Sequence, residues 1–266
     1  MTPECSATTV RLVTVELGWQ LGLALVLLVG LGTGVALWGR LPTAKSIPWV
    51  ALRSGAQLLA VSLIVGVALS EVWLALIFVS VMFTIGVFTT SRRTGLRTWR
   101  SRGAAGLAML AGALPVLAII FLTGTAPLNG PALVPIASII IGAMMTTQTL
   151  VGRRGFAELR GNLPEYAAYL SLGLERTYAV HAIVSHSLHE AVIPALDQTR
   201  TAGLVTLPGA YVGVLLGGGS PLQAAAAQVL VLVGINCGHT CTAVTARWLM
   251  ARGWLLPPDL RERLRP

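Results

Sequence analysis

Two methionines and a glutamine form the clearest candidate binding patch in the sequence. Met144, Met145 and Gln148 fall within five consecutive residues of a long apolar stretch, beside two threonines. Polar side chains inside such a stretch are costly to bury, and they commonly mark the route of a solute. A thioether is also a soft, polarizable group. We therefore take this patch as a candidate lining of a solute pathway.

Two other groups contain metal-ligating side chains. Cys237 and Cys241 are four residues apart and share a helical face, where thiolates would suit a soft metal ion. Cysteines that pack as small apolar residues are the commoner case. His186, His189 and Glu190 fall within about one helical turn and have the ligand types of a divalent-ion site, but a solvated polar face explains them better. Both groups are weak metal candidates.

The composition indicates that all these groups belong to a membrane protein. Of the 266 residues, 55% are hydrophobic and only 11% are charged, whereas a soluble chain has about 25% charged residues. A helix needs about 20 apolar residues to cross a bilayer. Seven segments come close to this length: 17–38, 50–69, 72–90, 104–124, 134–151, 203–218 and 222–248. We predict an all-α, polytopic membrane protein with about seven transmembrane helices, folded as a single domain over residues 1–266.

The basic residues predict the orientation of these helices. If the N-terminus is outside and the C-terminus cytoplasmic, all of the 19 lysines and arginines except Arg11 lie on or border the cytoplasmic side, as the positive-inside rule requires. The net charge of +9 then reflects topology and attraction to anionic lipid. We expect membrane lipid as a partner, no nucleic acid, and a location in the cell inner (plasma) membrane.

The longest cytoplasmic segment, about 152–202, is predicted to form an amphipathic helical excursion between spans five and six. Such a segment either lies on the lipid surface or docks a cytoplasmic partner. The sequence contains no G-x-x-x-x-G-K-[ST] phosphate loop and no HExxH, GxSxG or CxxC motif. We therefore expect no enzyme activity in this chain, and any ATP-driven transport needs a separate ATPase.

An arginine near the inner end of the second span is a candidate gating residue. Arg53 and Gln57 lie one helical turn apart. Arg53 either extends its guanidinium to the cytoplasmic interface or forms an ion pair, with Asp197 or Glu190 as the candidate partner. An intramembrane arginine requires such a partner or water.

Glycines dominate the predicted sixth span. Gly209, Gly213 and Gly217 lie on one helical face, which favours close helix packing in lipid. Pro208 precedes them, and a proline there would leave backbone carbonyls free to line a pathway. Both roles are compatible with one helix.

Two segments carry a resemblance to known permeases. Residues 165–173, EYAAYLSLG, resemble the E-A-A-x-x-x-G coupling segment of ABC permeases, with Tyr166 in place of the first alanine. Residues 193–221, IPALDQTRTAGLVTLPGAYVGVLLGGGSP, resemble the signature of the family that contains the bacterial FetB iron-export permease and the permease half of a plant aluminium-tolerance transporter. Ala51-Leu52-Arg53 with Gln57 matches the early A-L-R-x-x-x-Q of that family. The resemblance covers nearly the whole chain.

The sequence also departs from the family pattern. It has Gly142-Ala143 where the family has Gly-Asn, and Gln198-Thr199 and Ala210-Tyr211 where methionines are common. These positions leave the implied fold and coupling intact. They weaken the assignment of a metal substrate.

The resemblance implies the permease subunit of an ABC transporter. Two copies of the chain would pair with two copies of a separate ATPase that binds ATP and Mg²⁺, and this chain would bind no cofactor. The implied substrate is an exported metal ion, with iron as the first choice and other small solutes open. The implied ATPase-coupling residues are Arg160, Glu165, Ala168, Gly173 and Arg176.

A gradient-driven secondary transporter is the alternative prediction. Such a protein usually contains an internal repeat and an intramembrane carboxylate for proton or sodium coupling. The predicted spans contain neither. A membrane-bound enzyme or a scaffold is a third class, for which only His186, His189 and Glu190 offer clustered chemistry.

Overall fold

The computed structural model describes residues 18–264, except for the side chains of His186 and Ser187. Over this range the chain forms ten α-helices and no β-strand. They are α1 (Trp19–Trp38), α2 (Ser46–Ser70), α3 (Val72–Arg93), α4 (Trp99–Leu122), α5 (Gly130–Gly161), α6 (Leu163–Ser171), α7 (Arg176–Thr201), α8 (Gly209–Leu216), α9 (Pro221–Ala251) and α10 (Pro258–Arg263). Arg11 lies outside the described residues.

Six of these helices are long and apolar enough to cross a membrane, namely α1 to α5 and α9. They correspond to predicted spans one to five and seven. The all-α, polytopic membrane fold is therefore confirmed. α5 and α9 have 32 and 31 residues, which is longer than the bilayer requires, so each extends beyond the hydrocarbon layer.

The starts of these helices follow from local sequence. Asn129 caps α5 by accepting a hydrogen bond from the N–H of Ala132 at 3.0 Å, and Ser220 forms a capping box with Gln223 at the start of α9. A proline occupies the first turn of both helices, where a missing N–H costs nothing. Thr98 caps α4 in the same way.

Packing divides the chain into two units, residues 1–67 and 68–266. The first unit contains α1 and most of α2, connected by a turn in which Arg40 has a positive φ of 51°. Most of its large apolar side chains are exposed. An open groove of about 920 Å³ lies between the two helices.

The second unit is a bundle in which α5 and α9 contact most of the other helices. α4 and α9 are in close contact where Gly112 meets Gly238. A Cβ on Gly112 would lie 2.5 Å from the carbonyl oxygen of Gly238 and 2.6 Å from the sulfur of Met144. Small residues allow such contact between helix backbones, which is the main source of helix association in lipid.

One end of the second unit carries a concentration of arginines, and we call it the basic end. Arg92 and Arg93 end α3, Arg153 lies on α5, and Arg252 follows α9. Arg153 Nε donates to the carbonyl of Arg93 at 3.3 Å. This is the end that the positive-inside rule predicts to be cytoplasmic. The short helices α6 and α10 cover it, with Tyr166 and Leu260 buried in a common apolar core.

Two further helices, α7 and α8, pack against α9. α7 starts at the basic end, beside the turn that follows α9. Near its other end, the hydroxyl of Thr199 accepts a hydrogen bond from Asn236 Nδ2 at 2.7 Å, and Asn236 is the sixteenth of the 31 residues of α9. Farther along α9, Gln228 Oε1 accepts a hydrogen bond from the N–H of Tyr211 in α8 at 3.2 Å. α7 and α8 together therefore accompany α9 across the bundle.

The structure thus differs from the predicted sixth span, 203–218, and from the predicted cytoplasmic segment, 152–202. α8 has eight residues, or about 12 Å, and is too short to cross alone. α5 continues to Gly161, and α7 packs along α5 and α9. Asp197 and Arg200 make the end of α7 too polar to resemble a span in sequence. The prediction of a single domain stays a prediction.

Candidate functional site

Three places in the second unit contain candidate functional residues. The first is the predicted ATPase-coupling surface, called the coupling surface below, which is the exposed face of α6 with the turn at residues 172–175. The central polar cluster comprises Met144, Thr147, Gln148, His239 and Thr242. The break is the non-helical segment 202–208 between α7 and α8.

The coupling surface is a short helix held firmly on one side and open on the other. Glu165 and Ala168 are exposed, and Leu172, which follows the helix, is 76% exposed. Gly173 has a positive φ of 79°, a conformation that a glycine adopts without strain. On the inner side Tyr166 is buried and its hydroxyl donates to the carbonyl of Leu264 at 3.2 Å. Burial raises the pKa of the Tyr166 hydroxyl.

The two predicted coupling arginines do not lie on this exposed face. Arg160, on the last turn of α5, forms a two-pronged ion pair with Asp259 of α10, with Nε–Oδ2 at 2.7 Å and Nη2–Oδ1 at 3.1 Å. The guanidinium of Arg176 is packed against Gly253, which has a positive φ of 72°. A Cβ at that glycine would lie 2.6 Å from Arg176 Nη2. Both arginines thus fix the framework behind the surface.

Replacing Asp259 with asparagine is expected to loosen α10 from α5. Arg160 lowers the pKa of the Asp259 carboxyl, mainly through their hydrogen bond. The stabilisation is therefore complete above the ordinary carboxyl pKa of about 3.9 and is lost as the pH falls through the lowered pKa. Both side chains are nearly half exposed, so solvent screening limits the effect to about 1 kcal/mol.

Thermal unfolding of the purified protein in detergent at pH 7 and at pH 3 measures this effect. The matched control is Glu262→Gln, because Glu262 is an exposed carboxylate on the same helix. The Asp259 variant should unfold at a lower temperature than the control at pH 7 and should differ less from it at pH 3. Identical unfolding temperatures at pH 7 would contradict the assignment.

The central polar cluster lies between α5 and α9 in the middle of the bundle. Thr147 Oγ1 and His239 Nδ1 share a buried hydrogen bond of 2.7 Å, and Thr242 Oγ1 donates to the sulfur of Met144 at 3.0 Å. Gln148 is fully buried, and neither atom of its amide has a hydrogen-bond partner among the described residues. Buried amides are almost always satisfied by protein or by water. Gln148 therefore offers two free hydrogen-bonding atoms inside the bundle.

Of the predicted patch of Met144, Met145 and Gln148, the structure separates Met145 from the other two residues. Met144 points between α4 and α9, where it lies within 3 Å of the position of a Cβ on Gly238. Met145 is half-buried against Gly86 of α3. Their role in a pathway stays a prediction.

His239 and Thr242 were not predicted as site residues, whereas Thr147 was one of the two threonines in the predicted patch. Their signal was present in the sequence, since a histidine inside a transmembrane segment is rare and usually has a partner. What the sequence could not give is the register that brings α5 and α9 together. Only that register pairs His239 with Thr147.

The break combines charge with irregular backbone. Asp197 and Arg200, on the last turns of α7, form an ion pair of 3.2 Å, and their side chains are 57% and 75% exposed. The chain then leaves the helix, and a single bridge joins Ala202 to Thr206. Pro208 caps α8 in an extended conformation.

The predicted glycine face of α8 makes no close helix contact. A Cβ on Gly209 or Gly213 would meet nothing within 4 Å, and one on Gly217 would meet only carbonyls of its own turn. Gly209 and Gly213 instead border an open cavity of about 780 Å³ that is lined by α8, α9 and the ends of α4 and α5. Close packing within the described residues is made elsewhere, by Gly112, Gly234 and Gly238.

The two candidate partners of Arg53 each form an ion pair with a different arginine. Glu190 accepts a hydrogen bond from Arg154 at 2.9 Å, and Asp197 pairs with Arg200. Arg53 and Gln57 are exposed on α2, in the first unit. Their role as a gate stays a prediction.

The weak metal candidates are not assembled into a site. Cys237 and Cys241 are free, with Cys237 exposed on α9, and His189 is exposed on α7. The side chain of His186 lies outside the described part of the chain. Among the described residues, no three His, Cys, Asp or Glu side chains lie close enough to hold a metal ion.

Comparison with known proteins identifies the family. The model of the Uncharacterised protein family (UPF0014) matches residues 18–255. The UPF0014 membrane protein slr1647 of Synechocystis sp. is 29% identical over 244 residues, which are 87% of this chain and 90% of that protein. No solved structure matches the chain.

Two further relatives carry functional names. Protein ALUMINUM SENSITIVE 3 of Arabidopsis thaliana is 30% identical over 179 residues, covering 66% of this chain and 64% of that protein. The Probable iron export permease protein FetB of Escherichia coli is 29% identical over 150 residues, covering 55% of this chain and 56% of that protein. The chain thus spans less than two thirds of each of these two relatives. Since the family model extends from α1 to beyond the end of α9, the chain belongs to the UPF0014 family of membrane proteins.

Proposed function

We propose that the chain is the permease subunit of an ABC transporter in the plasma (inner) membrane, acting as a homodimer with a separate ATPase that binds ATP and Mg²⁺. The observation that carries this proposal is the coupling surface. An exposed leucine, Leu172, stands at the basic end beyond the apolar spans, where it can contact a cytoplasmic protein. Relationship to a probable iron export permease supports a transport role.

The framework behind the coupling surface is suited to transmit movement. Tyr166 and the Arg160–Asp259 pair hold α6, α10 and the end of α5 together. α5 then runs as one continuous helix from Gly161 back to the central polar cluster. A displacement of α6 by ATPase closure would therefore shift α5 against α7 and α9, which is the kind of rigid-body movement that alternates access.

We further propose that the substrate is an exported metal ion, with iron as the first candidate. The support is the name of the Escherichia coli relative and the mixture of sulfur, imidazole and amide groups in the central polar cluster. Other small polar solutes would also find hydrogen-bonding groups there, at Gln148 above all.

Co-purification tests this function. The tagged chain is co-expressed with each ABC-type ATPase of the same genome, and we expect one of them to form a stable complex in detergent. In liposomes, ATP hydrolysis by that complex should rise with Fe²⁺ or with another ion of a panel. Failure of every ATPase to bind would overturn the proposal.

One observation favours the gradient-driven alternative. The sequence argument against it was the lack of an intramembrane carboxylate, yet Asp197 lies within one turn of the contact between Thr199 and the middle of α9. Liposomes separate the two functions. Transport driven by a proton or sodium gradient without ATPase supports the alternative, whereas transport that requires ATP and the ATPase supports the permease.

A further inference from the structure

The end of α7 lies deep in the membrane. α9 has 31 residues and is about 46 Å long, whereas the hydrocarbon layer is about 30 Å thick. Any placement that leaves both ends of α9 outside this layer puts its central residue, Asn236, within about 8 Å of the midplane. Asn236 is bound to Thr199 at 2.7 Å. Asp197 and Arg200 are within two residues of Thr199 and are therefore also inside the hydrocarbon layer.

These groups cannot face lipid. Both charged side chains are more than half exposed, and the break leaves backbone groups unpaired. Within the described part of the chain, no N–H or O–H donates to the carbonyl oxygens of Thr199 or Arg200. Irregular backbone and charge are tolerated at membrane depth only where protein covers them or where they line a water-filled cavity.

The charge pattern favours a second copy of this chain as the cover of this face. A two-fold interface brings the same patch of both copies together, so the patch must complement itself. One acidic and one basic side chain side by side meet this condition, because Arg200 of each copy can approach Asp197 of the other. An interface with a different protein would not require an acidic and a basic side chain within one helical turn.

We propose that the exposed face of the break, with Asp197, Arg200 and Leu204, forms a water-filled interface with a second copy of this chain. The proposal of this interface depends only on the depth and the charges of Asp197 and Arg200. Its assignment as the wall of the transport path rests on the proposed function. The path would then present two carboxylates and two guanidinium groups to a polar or charged solute inside the hydrocarbon layer.

Charge exchange between two copies tests the interface. Asp197→Arg gives a chain with two positive side chains, and Arg200→Asp gives one with two negative side chains. Each variant alone should lose self-association by at least tenfold when differently tagged copies are co-expressed without any ATPase. The Asp197→Arg chain and the Arg200→Asp chain should recover association with each other to within twofold of the original protein, although neither retains the pair within one chain. The proposal would be overturned if all pairings associated equally well. It would also be overturned if the Asp197→Arg and Arg200→Asp chains did not associate with each other.

Water accessibility gives a second test that keeps the buried charges intact. In a chain whose Cys5, Cys237 and Cys241 are replaced by serine, Leu204→Cys should react with a charged methanethiosulfonate at least tenfold faster than Leu114→Cys. Leu114 is an exposed residue of α4 at a similar depth, because Gly112 packs against Gly238. A short bifunctional maleimide should join two copies of the Leu204→Cys chain through the introduced thiol. Slow labelling, or a product that remains monomeric, would show that lipid or the same chain covers this face.

These outcomes are independent of the ATPase. If the mixed variants associate but no ATPase binds the chain, the interface stands and the proposed ABC function fails. If an ATPase binds but the mixed variants do not associate, the proposed ABC function stands and the proposed interface fails.

Discussion

Replacing Gly112 with valine is expected to destabilise the helix bundle by about 3 kcal/mol or more, the upper range for overpacking of a tight core. A side chain at this position would collide with Thr242 Oγ1, with the carbonyl of Gly238 and with the sulfur of Met144. Two of these atoms belong to α9, including one of its backbone atoms, which cannot rotate away. The relief that remains is separation of α4 from α9.

The measurement is thermal unfolding in detergent, followed by the fraction of monodisperse protein after heating. Gly103→Val is the matched control, since Gly103 lies on the same helix and a Cβ there would meet nothing within 4 Å. We expect the control to unfold like the original protein. A Gly112 variant with the same unfolding temperature would mean that α4 and α9 do not touch as the structure has them.

This contact was within reach of the sequence, but it was not identified. Ala104, Ala108 and Gly112 are spaced by four residues and all are buried, which is the small-xxx-small pattern of a packed membrane helix. The same pattern at Gly209, Gly213 and Gly217 was predicted to pack closely instead, and Gly209 and Gly213 border a cavity. The spacing shows that one face of a helix carries only small side chains. It does not show which helix fills the space beside it.

The six long spans were predictable because length and hydropathy are local properties of the chain. The crossing made by α7 and α8 was not, because the charges of Asp197 and Arg200 hide it. In sequence, polar residues at membrane depth resemble a cytoplasmic segment. The contact of Thr199 with Asn236 shows how deep in the membrane they lie.

Replacing Leu172 with aspartate is expected to reduce ATP-driven transport strongly while leaving the fold intact. Leu172 is 76% exposed at the basic end, so its loss exposes no core. If the ATPase buries this side chain, a carboxylate would have to be desolvated in the contact. Loss of an anchoring apolar residue and burial of a charge together weaken binding by about 2 kcal/mol or more, about thirtyfold.

The matched control for this change is Leu128→Asp. Leu128 is also an exposed leucine outside the helices, but it lies in the loop before α5, at the end opposite the basic end. Complex formation with the ATPase, measured by co-purification, and ATP-dependent uptake into inverted vesicles should both fall for the Leu172 variant and stay unchanged for the Leu128 variant. An equal loss for both would indicate a general defect in the membrane protein. Retention of both activities in the Leu172 variant would exclude α6 and its turn as the contact, because no ATPase groove that holds this turn could accept a buried carboxylate without weaker binding.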